Sequence, residues 1–439
     1  MSRGFLHLFL AAFFMAGPFS ALPALAQTRM EQEEQTKPPE QLPAELGRNW
    51  EEQPWPIRLM VQPTSNGMLI RLPVVDTDPN RGVTYGVMPV WVIKDKENDR
   101  IRAIHAPSFT YNKIFKAIPT YRYFLYPTSL SSLVARASLS QVADREVLVE
   151  YEDLNFLDKG LVIAGLVQYN MDGAGRFFGI GPNSSRQDET NFTRYTTQYY
   201  VRLGLPVFPG SGWKFNLQHH MAGERLADGP IDTLANLGQR FPDQEPKHTH
   251  QNAELQLFMD YDTRDGAVAT THGSYAKIFI ENAQHALGSE FSFQQYGLDL
   301  RHFYKASPDS RFVTAGNLRY QQLIGDAPFY LEPQLGGKYI FRGYGTGRYV
   351  DRGLIVANAE KRITMFKIPT AGVMTEYELA PFAGLGTVFS SPGHMAGRYA
   401  RPVFGAAVRA IARPQVVGSI DFGIGQEGLK IFMDINYSF

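Results

Sequence analysis

The histidines best placed for metal chemistry are His248 and His250, separated by Thr249. On an extended backbone alternate side chains share a face, so both imidazoles can turn toward one ion. A polar loop leading into a strand accounts for the same residues, and that reading is preferred. His219 and His220 point to opposite faces of a strand. Asp260, Asp262 and Asp265 lack the spacing of a calcium loop. Gly343-x-Gly345-x-Gly347 lacks the Lys-Ser/Thr and the following helix that a phosphate cradle requires. With Cys 0 in 439 residues, thiol catalysis, disulfides and cysteine-bound zinc are excluded. A Ser/His/Asp set assembled by strands stays open, but nothing singles one out. No catalytic residue, cofactor or metal is assigned, and an enzyme is not expected. Lys+Arg 43 balances Asp+Glu 43, which gives no electrostatic reason to bind nucleic acid.

The elements that carry these residues are strands. Residues 1–26 read as a signal peptide: Arg3, an apolar run from Phe5 to Ala16, Gly17-Pro18, and a small-x-small site at Ala24-Leu25-Ala26. Beyond it no apolar run reaches the roughly 20 residues of a transmembrane helix. The only other structure that crosses a bilayer is a closed barrel. Residues 27–81 read as a Pro/Glu-rich linker with a short hairpin, where Asn66-Gly67 favours a type I′ turn. That segment could sit in the lumen or hang free. From residue 82 onward, stretches of alternating polarity repeat. Leu255, Leu257, Met259 and Tyr261 fall on one face, and Glu254, Gln256, Asp260 and Asp262 on the other. A tilted membrane strand needs about 9–11 residues, longer than the usual soluble strand. Aromatic content of 13% fits interfacial girdles. The expected fold is all-β: an antiparallel transmembrane β-barrel over 82–439, with sixteen strands, uncertain by two. Residues 118–128, bounded by prolines, are the weakest strand candidate. The chain ends on Tyr437 and Phe439 in phase with the apolar face, as a terminal barrel strand would.

Residues 334–362 read QLGGKYIFRGYGTGRYVDRGLIVANAEKR. Phe341-Arg342-Gly343-Tyr344 resembles the tip of the sixth extracellular loop in the BamA/TamA/FhaC superfamily, the bacterial surface antigen barrels. Similar family segments are Arg176-Phe-Phe-Gly-Ile-Gly, Asp262-Thr-Arg-Asp265, Asn358-Ala-Glu360-Lys-Arg362 and Asp421-Phe-Gly. The resemblance implies a long loop folded into the lumen, with its arginine held by acidic residues of the inner wall. A guanidinium suits this because its planar donors grip carboxylates. Gly343 would allow close approach or positive φ.

Two departures stand out. Where the family has Phe-x-Asp-x-Gly, this chain has Phe382-Ala-Gly384-Leu-Gly386, so the usual carboxylate is missing. Glu360 is the expected partner of Arg342, with Glu378 second. Residues 27–81 are also too few for the periplasmic POTRA domains that usually precede such barrels. The resemblance implies an outer-membrane protein of a Gram-negative bacterium that inserts, assembles or exports client proteins or lipids. Its implied partners are outer-membrane lipid, client outer-membrane or secreted proteins and a separate periplasmic protein. The alternative is a loop-gated, porin-like channel.

Overall fold

The computed structural model describes residues 61–95, 101–208, 210–244, 248–266, 269–370, 373–412 and 415–434. In chain order the strands begin with β1 (Val61–Thr64), β2 (Gly67–Asp78), β3 (Gly82–Lys94), β4 (Ile101–His105), β5 (Ser108–Asn112), β6 (Lys116–Leu125), β7 (Ser131–Leu139) and β8 (Asp144–Phe156). Next come β9 (Leu161–Phe177), β10 (Thr190–Pro206), β11 (Trp213–Asp228), β12 (Ala235–Asn236), β13 (His250–Asp262), β14 (Gly273–Ala283), β15 (Ser292–Lys305) and β16 (Phe312–Asp326). The chain continues through β17 (Gln334–Leu335), β18 (Tyr349–Val350), β19 (Gly353–Thr370), β20 (Val373–Phe389), β21 (Arg401–Ala412), β22 (Gln415–Gly425) and β23 (Gly428–Asp434).

Neighbours along the wall pair antiparallel from β2 to β23. β4 and β5 both lie between β3 and β6, so they are one strand broken at Ala106-Pro107. With β1, β12, β17 and β18 set apart, the wall has eighteen strand positions among the described residues. This is the upper bound of the sequence expectation, and two segments account for it. The region around 118–128 is a wall strand in its own right, β6. Pro119 is tolerated there because it lies opposite Phe109 of β5, while pairing with β7 starts one residue later at Thr120. β2 also pairs with β3 along its whole length, so wall pairing starts before residue 82. The β1–β2 turn falls on Ser65-Asn66, with Thr64 opposite Gly67. Neither turn residue has positive φ, so the expected type I′ turn is not formed.

The two faces of the wall differ as a membrane barrel requires. Val167 and Leu203 point outward with 65% and 55% of their surface exposed. Val75, Phe109, Val201, Ile278, Phe404 and Ile424 share that outer face. In water such a band would be costly; against lipid chains it is the solvated face. Inward, ion pairs cross the strands: Arg202 with Glu152, Arg194 with Glu224, and Arg319 with Asp299 at 2.7 Å.

The wall closes where β2 meets β23. Among the described residues no backbone ladder joins the two strands. The Thr77 hydroxyl donates to the Ile431 carbonyl at 2.8 Å, and β1 covers the other end of the same β2 edge. Tyr437 and Phe439 lie outside the described residues.

Candidate functional site

The connection between β16 and β19, residues 327–352, enters the barrel. β17 and β18 pair to close its base. Beyond them the chain turns tightly, with Gly337 N–H donating to the Tyr344 carbonyl at 2.8 Å and Phe341 N–H to the Gly337 carbonyl at 2.9 Å. Leu335, Phe341, Tyr344 and Tyr349 are buried against Val356, Phe382 and Val403 of the wall. The rings of Phe341 and Tyr344 stack with centroids 5.6 Å apart. Phe329, Tyr330 and Val350 form a second contact with Phe177, Phe192 and Leu226. A polar loop could not stay in a wet lumen by itself; burial of these aromatic rings supplies the non-directional part of its hold.

The directional part is Arg342, which is 2% exposed. Its Nη1 donates to Glu360 Oε2 at 2.8 Å and to Asp421 Oδ1 at 2.7 Å. The guanidinium carbon sits 3.6 Å from the centre of the Phe382 ring. Glu360 is held from two further sides. Arg362 Nε donates to its Oε1 at 2.8 Å, and Arg409 donates to both of its oxygens at 2.8 Å. Arg409 also reaches Glu378 at 2.9 Å and lies 3.5 Å from Asp421. Ser419 Oγ donates to Asp421 at 2.7 Å. Three arginines and three carboxylates thus interlock on β19, β20, β21, β22 and the loop. Every charge faces at least one opposite charge, which is the condition for burying ions without a large net penalty.

The structure brings together Arg342 and Glu360, the carboxylate named first from sequence. Glu378 serves Arg409 instead. Sequence reasoning did not place Asp421, Arg409 and Arg362 in the anchor. Asp421 was visible inside the Asp421-Phe-Gly motif, and its parity with Ser419 on β22 was the available signal. Arg409 carried no motif, and only strand register reveals it.

Glycines explain how the backbone fits. Gly343 does not have positive φ; it is required by closeness, since a Cβ there would lie 2.5 Å from Val403 Cγ2. A Cβ on Gly423 would lie 2.0 Å from the Arg342 carbonyl oxygen, so the loop rests on the β22 backbone. Gly384, where the family has aspartate, would place its Cβ 2.5 Å from Asn358 Oδ1 and 3.2 Å from Phe341 Cε2. That space belongs to the Phe341 ring and to Asn358, whose Nδ2 donates to the Ile340 carbonyl at 3.1 Å. The carboxylates that hold Arg342 are Glu360 and Asp421, both through Nη1.

The loop also straddles the closure. On one side the Asn80 amide, in the β2–β3 turn, donates to the Thr346 carbonyl at 2.8 Å. On the other, Arg348 Nε donates to Glu427 at 2.6 Å, and Gln426 N–H donates to Tyr344 Oη at 3.1 Å. From the opposite end of the barrel, the β13–β14 connection reaches the same cluster, where Arg362 Nη1 donates to the Thr270 carbonyl at 3.0 Å.

Strands with an apolar outer face, a charged inner face and an extracellular loop locked in the lumen define an outer-membrane β-barrel. The chain belongs to the Omp85 superfamily, whose domain matches residues 131–422. Among solved structures it is similar to BamA from Haemophilus ducreyi lacking POTRA domains 1-3. The identity is 14% and the TM-score 0.52, over 79% of this chain and 74% of that one. It also aligns with CdiB from Escherichia coli at 9% identity and TM-score 0.47, over 85% of this chain and 62% of that one. No curated protein sequence matches it. The protein resides in the outer membrane of a Gram-negative bacterium.

Proposed function

We propose that this barrel inserts, assembles or exports client proteins or lipids at the outer membrane, with the 327–352 loop bracing the lumen and the β2–β23 closure serving as the working edge. The observation that carries the reading is that edge. Eighteen wall positions are joined by continuous ladders, whereas β2 and β23 share one hydrogen bond among the described residues, Thr77 to Ile431. Exposed strand edges template the addition of further strands, so a weakly joined pair inside an otherwise closed wall is where a client strand would enter. The buried arginine cluster holds β19 to β22 rigid beside it.

The test uses the absence of native cysteine. Thr77→Cys and Ile431→Cys, joined by a short bis-maleimide, fix the edge without touching the loop. Cells carrying the joined protein should lose a defined set of outer-membrane or secreted proteins, or a lipid, while each single variant behaves as wild type. An unchanged envelope proteome and lipid profile would count against a working edge and move the reading to a loop-gated channel.

A further inference from the structure

The rim of the barrel carries a second constellation that plays no part in holding the loop. His248 and His250 precede and open β13, and Glu290 sits in the turn between β14 and β15. His248 Nε2 lies 3.2 Å from Glu290 Oε2, and His250 Nδ1 lies 3.1 Å from the same oxygen. The three ligand atoms all fall within 4.8 Å of one another. The two imidazoles lie side by side with centroids 4.3 Å apart, as their two-residue spacing on extended chain dictates.

We propose that His248, His250 and Glu290 bind a divalent transition-metal ion of the zinc class at the extracellular rim. The geometry has three parts. First, zinc–nitrogen and zinc–oxygen bonds run about 2.0–2.2 Å, which at tetrahedral angles separates neighbouring ligand atoms by about 3.3–3.5 Å. The observed N···O separations of 3.1 and 3.2 Å are close to that. An ion can therefore replace the two imidazole protons now directed at Glu290 with little movement of the side chains. Second, the carboxylate is already oriented. Its other oxygen, Oε1, accepts the Gln251 backbone N–H at 3.0 Å, which leaves Oε2 for the ion. Such outer contacts fix a ligand and tune a site. Third, His250 is backed by the Phe291 ring, centroid to centroid 5.2 Å, whereas the His248 side chain is 64% exposed. One ligand is braced, one is free to adjust, and the solvent side is open for water in the remaining position.

The ligand types select the ion. Two imidazoles and one carboxylate suit zinc, copper or nickel; calcium and magnesium favour oxygen ligands throughout. Ligand binding would clasp the β11–β13 connection to the β14–β15 turn.

The test is zinc titration of the untagged, full-length barrel in detergent, followed by calorimetry, with cobalt absorption as a second readout. One equivalent should bind. His250→Ala and Glu290→Gln should each weaken binding by at least the roughly 10–100-fold that loss of a mere outer contact costs, because either change removes one of three ligands. His219→Ala lies elsewhere on the wall and should leave binding unchanged. Cobalt should show tetrahedral bands that His248→Ala abolishes. Absence of binding to wild type, or equal binding by wild type and both ligand variants, would overturn the assignment.

Discussion

Arg409 is the residue whose loss should cost the barrel most. Its side chain is fully buried and faces Glu360 at 2.8 Å, Glu378 at 2.9 Å and Asp421 at 3.5 Å. Arg409→Met keeps most of the aliphatic volume and removes the charge. Three carboxylates would then face two arginines and Lys338, whose Nζ lies 4.0 Å from Asp421, and Glu378 would lose the partner that reaches it at hydrogen-bond distance. Removing one member of a buried ion pair costs about 3–5 kcal/mol, and Arg409 should fall at the upper end. Arg342→Met is the internal comparison. It frees Glu360 and Asp421 of one partner each, but both retain Arg409, so the cost should be nearer 2–3 kcal/mol by the same reasoning. Urea unfolding in phospholipid vesicles, read by tryptophan fluorescence, measures both. The Arg409→Met, Glu378→Gln double variant should recover part of the loss, because it neutralises the carboxylate whose hydrogen-bonded arginine has been removed. If Arg409→Met costs under about 1 kcal/mol, as a surface pair would, the cluster is not desolvated and the reasoning fails. It fails equally if Arg342→Met proves the more damaging.

Gly423→Ala should displace the loop, since its Cβ would meet the Arg342 carbonyl at 2.0 Å, whereas Gly418→Ala, with nothing within 4 Å, should be silent. Protease accessibility of the loop from the cell exterior reads the difference. Gly384→Asp restores the family's carboxylate yet should destabilise by about 1–3 kcal/mol through overpacking against Phe341 and Asn358; a gain in stability would refute the overpacking. Glu332, in the extracellular loop, is pushed up to about 7 by burial, with Asp351 adding to it. Its folded value lies above its unfolded one, so its contribution to docking is full below the unfolded value near 4.5 and is lost as pH rises through about 7. A spin label at Tyr339→Cys should be less mobile at pH 5.5 than at 8.5, and Glu332→Gln should flatten most of that change.

Much of the architecture was legible because a barrel strand declares itself twice, by alternation and by length. In β13, Leu257 and Met259 point to lipid while Glu254 and Asp260 face the lumen, and each face is written in side-chain chemistry. The first strand was harder. β2 carries Pro73 and the run Leu72 to Val75, so alternation is blurred there, and its membership follows from pairing with β3. β6 was obscured by its prolines for the same local reason. At the site, the Phe341-Arg342-Gly343-Tyr344 tip was legible through its resemblance to the sixth-loop tip of the BamA/TamA/FhaC superfamily. The receiving side was only partly so. Glu360 stands two residues from Arg362 in a motif, but Arg409 is one arginine among alanines and valines, and only register places it on the level of Glu360. The rim histidines read in sequence as a polar loop leading into a strand, and Glu290, forty residues beyond His250, comes beside them only through strand register.

The loop and the closure are mechanically one device. Arg342 binds β19 through Glu360 and β22 through Asp421, and Arg409 adds β21 and β20, so the strands leading up to the last one are clamped together. Among the described residues β23 is held on one side by its ladder to β22 and on the other by the Thr77 hydrogen bond to Ile431. Above that weak joint the loop grips both flanks, Asn80 on the β2 side and Glu427 on the β23 side. Opening the edge must therefore either stretch these rim contacts or lift the loop, and lifting the loop means extracting a buried guanidinium from two carboxylates. The free energy of the lumen cluster thereby bears on a joint between strands that contribute none of its charged groups. Breaking the Asn80–Thr346 contact by Asn80→Ala should make the Thr77→Cys, Ile431→Cys pair slower to cross-link without unfolding the barrel. If cross-linking instead tracks only the strand residues and ignores Asn80, the loop is a plug and not a strap.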